Sequence, residues 1–170
     1  MLLNNYYNII SAYAVSYPLL KTQNPIYSPT GVLYQTGYTT SLPAKLFDDC
    51  SLRKAFTDSG QGVCLGSGAT PATREDYALE SLIESGLSQL AASLACNSGP
   101  GFVEKVATLT VRNTSEETIT IREVGWIGGC YPSGSLKCVL LDRTVIDEPI
   151  VIPAGEAKVI SYTVRMEFPA

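Results

Sequence analysis

From residue 102 to the end of the chain, apolar and polar residues alternate in short runs separated by turn-forming residues. Ala107, Leu109 and Val111 share one side against Thr108, Thr110 and Arg112. Ile160, Tyr162, Val164, Met166 and Phe168 alternate with Ser161, Thr163, Arg165 and Glu167, after a turn at Pro153-Ala154-Gly155. A period of two puts successive side chains on opposite faces of a strand. Val139, Leu141 and Val145 continue the pattern between these runs. Several such strands punctuated by turn signals predict an antiparallel sandwich or barrel rather than βαβ units. Fully burying each apolar side chain is worth about 1.5–3 kcal/mol, so one face of the sheet can hold a domain together.

The alternation slips once. Ile119 and Ile121 share a face, after which the apolar positions shift to Val124 and Trp126. A one-residue slip of this kind predicts a β-bulge near Arg122-Glu123.

The first hundred residues are less regular. Leu2, Leu3, Tyr6, Ile9, Ile10, Tyr13 and Tyr17 recur at helical steps, and Pro18 follows, which predicts a short amphipathic helix over 2–17. Residues 18–61 are broken by Pro18, Pro25, Pro29 and Pro43 and carry Tyr27, Tyr34 and Tyr38. They read either as an extended arm that orders against other chains or as ordinary surface loops. Residues 62–68 form a short strand ending in a glycine turn. Over 79–96, Leu79, Leu82, Ile83, Leu87, Leu90 and Leu94 fit helical spacing interrupted by Gly86, and Leu90, Ala92, Leu94 and Cys96 also fit a strand. Periodicity alone leaves both open. The division is therefore a helix and arm over 1–61 and a β domain over 62–170.

Composition narrows the function classes. Charged residues are 16% of the chain and the net charge is -4, with Lys and Arg scattered. No basic stripe marks a nucleic-acid partner, and so little charge favours burial against other subunits. The N-terminal stretch lacks the positive region of a signal peptide and is too short and polar to span a bilayer, so the expectation is synthesis in a cytoplasm with no membrane partner. The five cysteines, odd in number and without a CxxC pair, read as reduced thiols. Cys130 and Cys138 flank a loop, and a disulfide between them is the alternative. Asn113-Thr114-Ser115 matches a glycosylation sequon but reads as a turn between strands.

Candidate chemistry is sparse. The chain contains no histidine. Four ligands at zinc spacing are missing, and a nucleophile would need a Lys or a carboxylate as its base, with Lys105 or Lys137 near a cysteine as candidates. Gly66-Ser67-Gly68 lacks the spacing of a phosphate loop. The adjacent carboxylates Asp48-Asp49, Glu75-Asp76 and Glu116-Glu117 read as solvated turn residues, not a pair across a cleft. Trp126, the one tryptophan, is a candidate interface anchor or sugar-stacking platform, with a core role as the alternative.

Two segments together carry a resemblance. GVCLGSGATPATREDYALES (62–81) and ATLTVRNTSEETITIREVGW (107–126), followed by LLDRTVIDEPIVIPAGEAKVISYTVRMEF (140–168), resemble a module of tailed-bacteriophage virion proteins of the tail, neck and head accessories. The shared pattern runs from glycines and Thr-Pro to Asp-Tyr-x-Leu-Glu, then a polar-turn hairpin and Ile-x-Glu-x-Gly. It continues through Leu-x-x-Arg, a proline strand, a Gly-Glu turn and a final Tyr-Thr-Val strand. The resemblance implies an extended path over 79–86. It also implies a sheet-edge corner at Gly66 and Gly68, and a positioning role for Asp76 and Glu80. Glu123 and Arg143 stand at strand positions suited to apolar residues, and a cross-sheet pair between them is expected.

The expected fold is mainly β, an antiparallel β-sandwich with a short N-terminal helix and an extended arm. The expected function is non-enzymatic: a structural subunit of a phage particle, without cofactor or metal. It assembles with other virion proteins and with copies of itself in a ring or fibre. The alternative is a receptor- or glycan-binding module of a tail fibre. The candidate subunit contacts are Tyr6, Tyr13, Tyr27, Tyr34, Tyr38, Trp126 and Tyr131.

Overall fold

The computed structural model describes residues 2, 26–34, 49–55, 60–130 and 137–167. Among these the chain is mainly β, with strands β1 (Ile26–Tyr27), β2 (Leu33–Tyr34), β3 (Leu52–Arg53), β4 (Gly62–Gly66), β5 (Leu87–Gly99), β6 (Phe102–Asn113), β7 (Ile119–Cys130), β8 (Lys137–Ile152) and β9 (Ala157–Glu167). They form a four-stranded sheet in the order β3-β4-β7-β8, a three-stranded sheet in the order β5-β6-β9, and the small pair β1-β2. Every pairing is antiparallel except β3 with β4.

The period-two pattern accounts for the core. Val63 and Leu65 of β4, Ile121, Val124 and Trp126 of β7, and Val139 and Leu141 of β8 pack in one cluster with Ala107, Leu109 and Val111 of β6 and Ile160, Tyr162 and Val164 of β9. Trp126 and Tyr162 come from different sheets and their ring centroids lie 6.0 Å apart. On the other face of the four-stranded sheet a smaller cluster gathers Cys64, Ile127, Cys138 and Leu140 under Leu79 and Leu82 of the 67–86 segment.

The register shifts where the sequence pattern slips, between Ile121 and Glu123. Residues 146–149 of the partner strand β8 stand opposite the single Arg122, so β8 carries three extra residues. A second shift, between Trp126 and Ile127, lies opposite Leu141. Leu141 joins the main core, whereas Leu140 faces the smaller cluster and Arg143 faces Glu123.

The polar turn at 114–117 does not close a hairpin. Its flanking strands belong to different sheets, so the segment is an arch between them. Period two says which face a residue takes, not which strand it neighbours. Both sides of β6 are already taken, one by β5 through the tight turn at Pro100-Gly101, the other by β9 in eleven paired positions. Gly101 holds the positive φ, 79°, that this turn requires. The arch is organised by buried Asn113. Its Nδ2 donates to the carbonyls of Glu117 at 2.6 Å and Ile152 at 2.8 Å, and its Oδ1 accepts from the Ser115 amide at 2.9 Å. The sequon asparagine is thus a corner residue in the fold.

Other expectations meet the structure in part. The helix over 2–17 lies outside the described residues apart from Leu2, which bridges to Asp142 and packs on the main core. The β domain begins before residue 62, since Cys50 is in the core and β3 pairs with β4. Residues 79–86 form no strand but bridge antiparallel to Gly66 at Leu82, and β5 starts at Leu87. Cys50, Cys64 and Cys96 are free thiols, Cys138 stands in register with Gly129, and the side chain of Cys130 lies outside the described residues.

Candidate functional site

The one concentration of charge inside the described fold lies where the 67–86 segment crosses the outer face of β4, β7 and β8. Glu123 is fully buried there and Arg143 is 3% exposed. The β7–β8 register shifts bring the two side chains onto the same face, where Arg143 Nε donates to Glu123 Oε2 at 2.8 Å. Nη1 of Arg143 reaches Asp76 Oδ2 at 2.6 Å, and Nη2 donates to the Thr70 carbonyl at 3.0 Å. Glu80 Oε2 stands 3.8 Å from Nη2. The pairing expected from sequence is therefore present, and Asp76 and Glu80 join it.

Backbone amides of the crossing segment complete the site. Glu123 Oε1 accepts from the Gly68 amide at 3.1 Å and the Ser81 amide at 2.8 Å. Its Oε2 accepts from the Glu80 amide at 3.1 Å. Thr70 donates to Glu80 through its amide, at 2.7 Å, and its hydroxyl, at 2.6 Å, while Thr73 donates to Asp76 through the same two groups. A buried carboxylate with this many donors, one of them charged, has its desolvation offset. Residues from 68 to 81 are thereby fastened to one side chain of β7.

The two glycines have a different role from the corner assigned to them. A Cβ on Gly66 would lie 2.5 Å from Glu123 Oε1 and 2.7 Å from the Ser81 carbonyl oxygen; one on Gly68 would lie 2.6 Å from Glu123 Oε1. Both keep space clear for the carboxylate. Gly125 does the same for Leu79, whose Cδ2 would meet a Cβ at 2.9 Å. Gly66→Ala is expected to destabilise the protein by about 1–3 kcal/mol, read as a lower urea midpoint, because backbone on one side cannot give way.

Asp76 titrates with the clamp. Burial raises its carboxyl, but hydrogen bonds from Thr73 and Arg143 outweigh that and hold it below its ordinary value. Hydrogen bonds from Thr70 chiefly lower Glu80 as well. Depressed carboxyls stabilise the fold above their unfolded pKa, and this is lost as pH falls through the folded value. Buried Asp142, which accepts from the Tyr162 hydroxyl, is raised by desolvation and works the other way. Stability is expected to fall steeply below about pH 4, and Asp76→Asn to flatten that fall in a pH series of thermal melts.

The arrangement holds the 67–86 segment against the sheet. The guanidinium, a permanent cation, occupies the centre between three carboxylates. Among the described residues no group of three or more His, Cys, Asp or Glu side chains is placed to hold a metal ion. Burial pushes the Cys64 and Cys50 thiols up, away from the thiolate form, with the nearby charges of Glu123 and Asp49 adding to it respectively. Lys105 stands in register opposite the exposed thiol of Cys96, and Lys137 neighbours buried Cys138.

The candidate contact residues separate. Trp126 is fully buried, and its Nε1 donates to the Asp49 carbonyl at 2.9 Å, so it takes the core role and offers no platform at the surface. Tyr27 is 37% exposed and leans on Tyr77, which is 44% exposed, with ring centroids 6.3 Å apart. Tyr34 pairs in register with Ile26. Tyr6, Tyr13, Tyr38 and Tyr131 lie outside the described residues. Tyr77 stands in the Asp-Tyr-x-Leu-Glu run of the resemblance but is not among the candidate contacts. No family model, curated protein or solved structure matches this chain.

Proposed function

We propose that this chain is a non-enzymatic structural subunit of a tailed-bacteriophage particle. In this reading it is a β-sandwich that assembles with other virion proteins through the sandwich and its N-terminal arm. One observation carries the reading. Several of the residues that make the resemblance converge on a single point in space. Gly66, Gly68, Asp76, Leu79 and Glu80 come from its first segment; Glu123, Gly125 and Arg143 come from its second. Each has a physical task in fastening 67–86 across the sheet, which is how a recurring assembly module is expected to use its recurring letters. The low charge content supports burial against neighbours. The glycan-binding alternative loses Trp126 as its platform, because that side chain is enclosed.

The test is mass spectrometry of gradient-purified particles from a phage that encodes the chain. Its peptides are expected at a fixed copy number per particle. A chain that is expressed in infected cells yet absent from purified particles overturns the proposal.

A further inference from the structure

We infer that the free edge of β8 is a strand-acceptor groove, filled by the segment of this chain that opens with Leu2. The groove is read from the sheet edge alone, so the particle-content test neither supports nor sinks it.

The sheet order gives β8 one neighbour, β7, and leaves its other side free. Open edges invite pairing with a further segment. This edge is nonetheless out of water. Cys138, Val139, Leu140 and Leu141 are each 0% exposed, and Asp142 and Arg143 are buried too. The main core covers one face of the strand and Leu79 and Leu82 of the 67–86 segment cover the other, which leaves the edge itself to be covered by something else. Main-chain groups removed from water need hydrogen-bond partners, and β7 can serve only those that point toward it. Leu140 has an interaction besides the β7 ladder. Its only polar atoms are on the main chain, so that interaction is a main-chain hydrogen bond. Cys138 and Asp142, two residues to either side, are partnered as well. Two residues is the spacing at which one edge of a strand bonds its neighbour.

The occupant is set by Leu2. It bridges antiparallel to Asp142 on this edge and packs on the main core. The antiparallel sense carries the chain after Leu2 from Asp142 toward Leu140 and Cys138, whose edge groups need a partner. At the bridge β8 is also tied to the second sheet, because the buried Asp142 carboxylate accepts from the Tyr162 hydroxyl of β9. Strand addition draws affinity from main-chain bonds and specificity from alternate side chains, and Leu2 is the first of these here. The arm expected before residue 62 is then held at two places, at β8 through Leu2 and at Tyr77 through Tyr27. Contacts with neighbouring subunits fall to the stretch between them.

Hydrogen exchange of the full chain, read residue by residue, tests this. In wild type the amides from Cys138 to Asp142 should exchange as slowly as those of β7. Leu2→Asp sets a charge against the core and should speed them about tenfold or more, while β6 and β9 keep their protection and so report an intact sandwich. A disulfide trap identifies the source of the segment. Leu2→Cys with Asp142→Cys, in a Cys96→Ser background that removes the exposed thiol, should link within one chain on oxidation. Links between chains would assign the groove to a second copy and overturn the inference. Fast exchange at Cys138 to Asp142 in wild type, or protection there indifferent to Leu2→Asp, overturns it too. If Asp142→Cys does not fold, the exchange comparison decides alone.

Discussion

Arg143→Leu is expected to lower unfolding free energy by about 3–5 kcal/mol, because removing one partner of a buried ion pair strands the other. Glu123 is fully buried and would keep only the amide donors of Gly68, Glu80 and Ser81. The same substitution takes a donor from Asp76 and one from the Thr70 carbonyl. Arg143→Lys keeps the charge but not the fork that serves three partners at once, so an intermediate loss is expected. Urea unfolding followed by far-UV circular dichroism measures both. A loss for Arg143→Leu below about 1 kcal/mol would mean that the pair does not hold the segment and fixes neither register nor folding.

Trp126→Ala should cost about as much, roughly 3–5 kcal/mol, through a different mechanism. Its ring lies between the sheets and packs against Tyr162, so truncation leaves a cavity that two hydrogen-bonded sheets cannot close. Trp126→Phe retains most of the volume but loses the bond to the Asp49 carbonyl, a net loss of about 1 kcal/mol beyond the volume change. Tryptophan fluorescence and urea midpoints report these changes. Equal losses for Ala and Phe would place the energy in the hydrogen bond rather than in packing.

Much of the fold was legible because β6 and β9 pack one face against the main core. Ala107 to Val111 and Ile160 to Val164 announce strands by period alone. The slip at Arg122-Glu123 was legible for the same reason, since a bulge interrupts a strict alternation. Glu123 and Arg143 drew attention as charges where apolar residues fit. The 67–86 crossing was not legible as a path. It is held largely by backbone amides, and every residue except proline has one, so those donors leave no mark in the sequence. The glycines that make room for Glu123 and Leu79 left a trace that a corner explained equally well, and Asp76 and Glu80 stood out only through the resemblance. The arch at 114–117 was hidden because alternation carries no information about strand neighbours. Strand β5 was ambiguous because most of it is exposed, and with no buried face the period-two signal that marks the other strands fades.

Amide hydrogen exchange of the full chain tests the clamp most directly. In wild type the amides of Gly68, Glu80 and Ser81 should exchange as slowly as those of β4, and in Arg143→Leu they should exchange much faster while β6 and β9 keep their protection under native conditions. Fast exchange at these amides in wild type, or protection unchanged in Arg143→Leu, would contradict the fastening of the 67–86 segment through Glu123 and Arg143.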